Sequence, residues 1–196
     1  MMVGKNPGSS AVARRIKRGS YGVEIGVWRG DSSELFLDKM GPEGVLHLVD
    51  SWSVTPYEGT DEHGGFEDYL SRYEKLVGSR DPESFQSYYD KVHNSVKERF
   101  AGRGVVIHRM TSERFFSNPP RTIFNWAYID ASHAYEEVMK DLTSASLLVE
   151  AGGVIWGDDY SPKKPEVLQA VDDFANELGL PLENFGGDQY QIKLPR

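Results

Sequence analysis

The chain has 196 residues and an acidic composition, with 30 Asp and Glu residues against 22 Lys and Arg residues and a formal net charge of −8. This length suits one domain, so we expect residues 1–196 to form a single unit. The acidic balance argues against nucleic acid as a partner, because affinity for a phosphate backbone depends on clustered Lys and Arg. The absence of cysteine excludes disulfides, thiolate metal sites and cysteine nucleophiles.

The sequence also bears on cellular location. No apolar run reaches the ~20 residues that span a bilayer. Residues 1–10 lack the apolar core of a signal peptide. We therefore expect a cytoplasmic protein with no membrane partner, and the sequence leaves open assembly into a homo-oligomer.

Short apolar runs alternate with helical patterns along the chain, which is typical of a parallel α/β sheet. The predicted strands are residues 21–26, 45–50, 105–109, 125–130 and 153–158. Several of these runs are apolar almost throughout, as expected for strands that helices cover on both faces.

Two glycines follow the first predicted strand, in the segment Glu-Ile-Gly-Val-Trp-Arg-Gly of residues 24–30. Gly26 and Gly30 allow the backbone to turn tightly and approach a ligand. Amides at the start of the next helix can hold an anionic group. The dinucleotide motif G-x-G-x-x-G would need glycine where the chain has Trp28, which argues against a nicotinamide oxidoreductase.

The second predicted strand ends in an acid, Asp50, twenty residues beyond Gly30. A carboxylate at this position can accept hydrogen bonds from two ribose hydroxyls. Its alternative role is to cap the segment that follows the strand. The glycine turn and this acid together favour a nucleoside-containing cofactor.

Residues 53–100, between the second and third predicted strands, break the alternation. They are polar and rich in aromatic residues, and they are far longer than a usual connection. We expect about two helices that cover one end of the sheet. An ordinary crossover with an extra helix and a lid that shapes a substrate pocket are both open interpretations.

Three acids follow the fourth and fifth predicted strands: Asp130, Asp158 and Asp159. Adjacent parallel strands lie ~4.8 Å apart, so these carboxylates should converge. Oxygen ligands favour hard cations such as Mg²⁺. The alternative is that Asp130 caps a helix and the Asp158-Asp159 pair only begins a loop.

His133 follows Asp130 by three residues, at the mouth of the same predicted site. An imidazole can accept a proton from a hydroxyl group near neutral pH. We predict that His133, or one of the acids such as Asp130, acts as the catalytic base. A helix cap or a surface residue is the alternative interpretation of His133.

Two apolar stripes at spacings of three and four predict helices in the second half of the chain. The first stripe comprises Val138, Leu142, Ala145 and Val149. The second comprises Val167, Val171, Phe174 and Leu178. Gly152 and Gly153 should end the first helix and Gly179 the second. The tail predicts a turn and a last strand.

Four segments of the sequence, VEIGVWRGDSS, LVDSW, YIDASHAYEEVMKDL and GGVIWGDDY, resemble the class I S-adenosylmethionine-dependent methyltransferases. Within that class they are similar to the methyltransferase domain 24 family of metal-dependent small-molecule and sugar O-methyltransferases. The resemblance covers about residues 20–52 and 105–175. It implies a Rossmann-like three-layer sandwich, with a mostly parallel seven-stranded sheet, an antiparallel last strand and a helical insertion between strands 2 and 3.

The resemblance also implies which residues bind the cofactor S-adenosylmethionine. The candidates are Glu24, Gly26, Gly30, Asp50, Ser112 and Glu113. Glu24 and Gly26 would contact the methionine portion and Asp50 the ribose. Ser112 and Glu113 would border the adenine.

The same resemblance implies metal ligation by Asp130, Asp158 and Asp159, with His133 where catechol-type relatives carry a lysine base. The expected function is methylation of a hydroxyl group on a small molecule of the sugar, phenol or catechol type, with Mg²⁺. A metal-dependent hydrolase and a catalytically silent protein that binds a nucleoside cofactor are the alternatives.

Overall fold

The computed structural model describes residues 7–57 and 65–196, with Pro7 placed by its backbone alone. Seven strands form one sheet in the order β3-β2-β1-β4-β5-β7-β6. The strands are β1 (Tyr21–Ile25), β2 (Val45–Asp50), β3 (Val105–Arg109), β4 (Phe124–Ile129), β5 (Val149–Gly157), β6 (Leu182–Asn184) and β7 (Tyr190–Lys193). Strands β1 to β5 run parallel, and β7 is antiparallel to both of its neighbours. The predicted sheet is confirmed.

Helices cover both faces of the sheet. They are α1 (Pro7–Ala13), α2 (Asp31–Met40), α3 (Phe66–Val77), α4 (Pro82–Arg99), α5 (Ser112–Ser117), α6 (Tyr135–Leu148) and α7 (Pro165–Glu177). One core cluster joins one face of the sheet to α1–α4, and a second joins the other face to α5–α7. The predicted three-layer sandwich is therefore confirmed. Within the described residues, no helix has the length and apolar character needed to cross a bilayer.

The strand order reverses at the centre of the sheet. From β1 the chain moves outward to β2 and β3, and it then returns to the other side of β1 as β4 and β5. Such a reversal opens a crevice at the carboxyl ends of the two central strands, where open α/β sheets bind ligands. In this chain the crevice lies between the ends of β1 and β4.

The insertion between β2 and β3 contains two helices, α3 and α4, after a 3₁₀ turn at Thr55–Tyr57. Helix α4 begins at a capping aspartate, Asp81, whose carboxylate accepts from the Ser84 amide at 3.0 Å. At its other end Arg99 forms ion pairs with Asp31 and Glu34 of α2. The two predicted helices are confirmed, although residues 58–64 of the predicted insertion lie outside the described part of the chain.

The predicted end of the helix before β5 was wrong. Helix α6 ends at Leu148, and β5 begins at once at Val149, so the two glycines belong to the strand. The register with β4 shifts there, from a Phe124–Val149 pair to a Trp126–Val154 pair. A Cβ atom on Gly153 would lie 2.7 Å from the Asn125 carbonyl oxygen. These glycines therefore allow the irregular pairing of β5 with β4, and they do not end helix α6.

Candidate active site

A cavity of about 390 Å³ lies at the carboxyl ends of β1 to β4. Its lining includes Gly26 after β1, Asp50 at the end of β2, Ser112 after β3 and Asp130 and His133 after β4. This volume falls within the range of pockets for small organic ligands. The predicted site residues at the ends of β1 to β4 therefore surround one concave site.

The turn after β1 requires glycine at its first position. Gly26 has a φ of +84°, and a Cβ atom there would lie 1.8 Å from the carbonyl oxygen of Asp130. Any side chain would therefore collide with the backbone at the end of β4. Gly26 brings the ends of the two central strands together at the floor of the cavity.

Asp50 fastens this turn to the end of β2. Its Oδ2 accepts from the Val27 and Trp28 amides at 3.0 and 2.9 Å, and its Oδ1 accepts from the Trp52 amide at 2.7 Å. The capping role thus coexists with a place on the cavity wall. Two carboxylate oxygens offer about four acceptor positions, so one position on Oδ1 remains for a ligand hydroxyl.

Three other candidates do not line this cavity. Glu24 is 1 % exposed and accepts from the Ser33 hydroxyl at 2.5 Å; burial, and then the charges of Asp130 and Asp50, raise the pKa of its carboxyl group. Gly30 has a φ of +77° and precedes α2, where a Cβ atom would lie 2.6 Å from the Phe100 ring.

The third is Glu113, which is exposed in the first turn of α5. Its neighbour Ser112 lines the cavity and hydrogen-bonds to Asp141 of α6, a buried acid whose pKa is raised to about 7 by burial. The structure therefore separates two neighbouring candidates, Ser112 at the cavity and Glu113 away from it.

The three acids after β4 and β5 converge as predicted. Asp130, Asp158 and Asp159 line a small cavity of about 10 Å³ together with His133. Asp130 and His133 also line the larger cavity, so the two spaces adjoin. A space of this size holds about one water molecule.

The acid cluster is electrostatically strained. Burial, followed by the charges of Asp158 and Asp159, raises the pKa of Asp130 to about 7. The Asp159 carboxylate instead accepts from His133 Nε2 at 2.7 Å, and this bond lowers the pKa of Asp159. The two acids thus differ: a hydrogen bond from His133 favours the charged form of Asp159, whereas burial and two neighbouring carboxylates disfavour the charged form of Asp130.

Lys164, in the loop after Asp158 and Asp159, contacts the candidate base His133. Its Nζ lies 3.2 Å from His133 Nδ1, and the side chain is half-buried. The positive charge of Lys164 also acts to lower the pKa values of Asp130 and Asp159. The direction of a loop side chain has no periodic signal, so the sequence does not predict this contact with His133.

The residues fit a divalent cation in their chemistry. Carboxylate oxygens are the ligands that Mg²⁺ prefers, and the raised pKa of Asp130 marks negative charge that a cation would neutralise. As arranged, however, the described residues contain no group of three or more His, Asp or Glu side chains positioned to hold a metal ion.

The insertion supplies a further wall of the larger cavity. Pro56 and Tyr57 of the 3₁₀ turn and Tyr73 of α3 line it, together with Trp28. The aromatic richness of residues 53–100 was visible in the sequence, but the side chains that face the site were not. The function of the insertion as a lid stays a prediction.

The chain is similar to known methyltransferases in sequence and in fold. The Methyltransf_24 model, a methyltransferase domain, matches residues 23–160. No curated protein matches the sequence. The O-methyltransferase NovP is 18 % identical with a TM-score of 0.57, over 97 % of this chain and 78 % of that one. CalS11, a calicheamicin methyltransferase, is 17 % identical with a TM-score of 0.62, over 94 % of this chain and 77 % of that one.

Two further solved structures share the fold. Cofactor-bound Rv0187 from MTB is 15 % identical with a TM-score of 0.59, over 100 % of this chain and 82 % of that one. A candidate rRNA-methylase of Clostridium thermocellum is 11 % identical with a TM-score of 0.58, over 100 % of this chain and 99 % of that one. The match to the family model spans more than half of the sequence. The chain belongs to the Methyltransf_24 family of class I methyltransferase domains.

Proposed function

We propose that this protein is an S-adenosylmethionine-dependent O-methyltransferase that acts on a hydroxyl group of a small molecule, assisted by a divalent cation such as Mg²⁺. One observation carries the proposal. Asp130 and His133 line both the larger cavity at the ends of β1–β4 and the small cavity between the three acids. A base and an acid cluster therefore adjoin a space of cofactor size.

The cofactor side of the site is formed by the ends of β1 to β3. Gly26 lets the floor of the cavity come close to a ligand, and Asp50 presents a carboxylate that retains one acceptor position. Ser112 adds a hydroxyl group at the end of β3. In the proposed complex these residues hold the methionine portion, the ribose and the adenine of S-adenosylmethionine.

The acceptor side is formed by the ends of β4 and β5. A bound cation held by Asp130, Asp158 and Asp159 would supply positive charge that makes a nearby hydroxyl group more acidic. In the structure, His133 Nε2 is paired with Asp159 Oδ2. Ligation of the cation would therefore require Asp159 to give up His133 and bind the cation instead. That exchange would free His133 Nε2 to face the acceptor.

The residues then move one proton and position two reactants. For His133 Nε2 to accept the proton of the acceptor hydroxyl, the neutral ring must carry its own proton on Nδ1, so Nδ1 gives up its contact with the Lys164 ammonium group when Nε2 leaves Asp159. S-adenosylmethionine, when bound, supplies the methyl group, whose bond to the sulfonium sulfur breaks as the acceptor oxygen bonds to the carbon. Holding the two reactants in line accounts for much of the expected rate.

The hydroxyl acceptor is supported by the fold relative NovP, which is an O-methyltransferase. The candidate rRNA-methylase shares the fold as well, so the fold alone does not choose the acceptor. The net charge of −8 argues against RNA, which would require clustered cations.

The experiment that tests the proposal is a transfer assay with S-adenosylmethionine, Mg²⁺ and a panel of catechols, phenols and glycosides. We expect S-adenosylhomocysteine to form only when a hydroxylated acceptor is present, with the added methyl group found on oxygen by mass spectrometry. Binding of S-adenosylmethionine without turnover on any acceptor would favour the silent cofactor-binding protein. Hydrolysis of an ester or phosphate without methyl transfer would favour the hydrolase.

A further inference from the structure

Trp28 lies in the left-handed region of backbone conformation, with a φ of +51°. Bulky residues rarely adopt this conformation, and they keep it only where the surrounding structure imposes it. Here the Trp28 amide donates to Asp50 Oδ2 at 2.9 Å, and the Trp28 carbonyl accepts from Trp52 Nε1 at 2.9 Å. Both contacts use backbone atoms of residue 28, so glycine would keep them without strain. A tryptophan at this position points to a role for the indole itself.

The indole of Trp28 is placed between the insertion and the site. It is 37 % exposed, whereas the other three tryptophans are buried. Its ring packs with Tyr88 and Tyr89 of α4, at centroid distances of 5.9 and 5.7 Å. It also lines the cavity that His133 lines. Helix α4 thus holds the indole at the edge of the proposed reaction site.

Two tyrosines of the insertion line the same cavity, Tyr57 in the 3₁₀ turn and Tyr73 in α3. A buried tyrosine, Tyr69, fixes both of them. The Tyr57 ring stacks on Tyr69 at a centroid distance of 4.1 Å, and the Tyr73 ring lies 5.1 Å from Tyr69. Their positions are therefore set by the core of the insertion before any ligand binds.

We propose that Trp28 determines acceptor specificity, and that Trp28, Tyr57 and Tyr73 form an aromatic wall that stacks on a ring of the acceptor. This inference rests on the proposed function and deepens it. It assigns the acceptor to hydroxylated compounds that carry a ring with an apolar face, either an aryl ring or a glycosyl ring.

The chemistry of the wall favours such a ring. The binding free energy from covering an aromatic side chain is largest when an apolar ring face covers it, and it is small when a short polar chain does. Because the aromatic wall and His133 line one cavity, a ring held by the wall can present its hydroxyl group to the base. Among the described residues, the rest of the cavity lining combines three carboxylates, from Asp50, Asp130 and Glu137, with smaller polar and aliphatic groups and no other aromatic carbocycle. The wall therefore supplies the apolar contact that an uncharged ring needs.

Quenching of tryptophan fluorescence by acrylamide tests the proposal directly, because Trp28 is the exposed tryptophan. The protein is saturated with S-adenosylhomocysteine and Mg²⁺ and then titrated with catechol, methyl glucoside or ring-free glycerol. We expect catechol or methyl glucoside to lower the quenching constant by about twofold or more, and glycerol to leave it unchanged. The compound that protects distinguishes an aryl from a glycosyl acceptor.

Three variants separate ligand contact from packing. Trp28→Gly should weaken binding of the protecting compound about 10-fold or more, a larger factor than any accompanying loss of affinity for S-adenosylhomocysteine. Trp28→Phe keeps a ring and should restore most of the affinity. Tyr88→Leu removes a ring that packs on Trp28 but does not line the cavity, so it is the matched control, and its loss of ring affinity should be clearly smaller than that of Trp28→Gly.

Four results would overturn the proposal. They are equal quenching with and without both ring compounds, equal protection by glycerol, full protection of Trp28 by S-adenosylhomocysteine alone, and equal losses of ring affinity in Trp28→Gly and Tyr88→Leu. Failure of S-adenosylhomocysteine to bind would instead contradict the proposed function. The two failures are therefore distinguishable.

Discussion

His133 Nε2 lies 2.7 Å from Asp159 Oδ2, so the candidate base is paired with one of the three candidate metal ligands. The Asp159 backbone is itself unusual, with a φ of +62°, and its amide lies 2.8 Å from Asp158 Oδ1. With Nε2 donating to Asp159, the Nδ1 atom of His133 is the acceptor, and it faces Lys164 at 3.2 Å. In the proposed function, this pairing would couple occupancy of the acid cluster to proton transfer by His133.

The first prediction concerns His133. His133→Ala should lower kcat by about 10²–10⁴-fold, because a positioned base of this kind contributes that much to proton transfer. The dissociation constant of S-adenosylmethionine, measured by calorimetry, should change little. Lys163→Ala, an exposed lysine in the neighbouring loop, is the control and should keep kcat. An unchanged kcat in His133→Ala would assign the proton to another group.

The second prediction concerns the cation. Excess chelator should abolish methyl transfer while S-adenosylmethionine still binds, because the proposed cofactor contacts lie at the ends of β1 to β3. Asp158→Ala should have the same effect on turnover without chelator, since it removes one of three carboxylate ligands. Glu177→Ala, an exposed acid at the end of α7, should leave turnover intact. Undiminished transfer in excess chelator would show that the acids serve the fold alone.

The third prediction separates two acids of the candidate cofactor site. Asp50→Ala should weaken S-adenosylmethionine binding by about 1–3 kcal/mol, through the lost ribose hydrogen bond and the loosened turn at Val27 and Trp28. Glu113→Ala should have a much smaller effect, because Glu113 is exposed and does not line the cavity. Calorimetric titration of both variants measures the difference. Equal affinities in the two variants would remove Asp50 from the site.

The fourth prediction concerns stability and pH. His47 Nδ1 and His108 Nε2 lie 3.0 Å apart with their rings stacked. Burial, and then the charge of His108, lowers the pKa of His47 to about 4, and burial lowers the pKa of His108. The folded state therefore favours neutral rings. The contribution of the neutral rings to the free energy of unfolding is complete above about pH 6.5, the pKa of His in the unfolded chain. It is lost as the pH falls toward about 4, the pKa of His47 in the folded state.

Urea denaturation measures this dependence. The free energy of unfolding of wild type should fall relative to that of His47→Gln by about 2–3 kcal/mol between pH 7.5 and 4.5. The comparison with the variant is essential, because Asp130 and Asp141, whose pKa values are raised to about 7, act in the opposite direction over this range. A constant difference between the two proteins at both pH values would contradict the account.

The sheet was predictable because its signal is local. Apolar runs in the sequence indicated β1 to β5. The acids Asp50, Asp130 and Asp158 lie at or beside the ends of these strands, and the carboxyl ends of parallel strands meet at one edge of the sheet. The convergence of the three acids after β4 and β5 followed from the same geometry. Their arrangement around one small cavity confirms it.

Other features depend on contacts distant in sequence. The glycines at 152 and 153 resembled a helix stop, because only the register with β4 reveals the irregularity that they serve. The three amides bound by Asp50, the left-handed backbone of Trp28 and the contact of Lys164 with His133 have no periodic signature. Such features are decided by tertiary packing rather than by local pattern.

Calorimetric titration of S-adenosylmethionine into the protein tests the central claim most directly, because every proposed step requires this cofactor in the cavity between Gly26, Asp50 and Ser112. We expect one molecule bound per chain, in Mg²⁺ and in chelator alike, with binding weakened in Asp50→Ala. Absence of binding heat, together with an unchanged melting temperature in saturating S-adenosylmethionine, would contradict it.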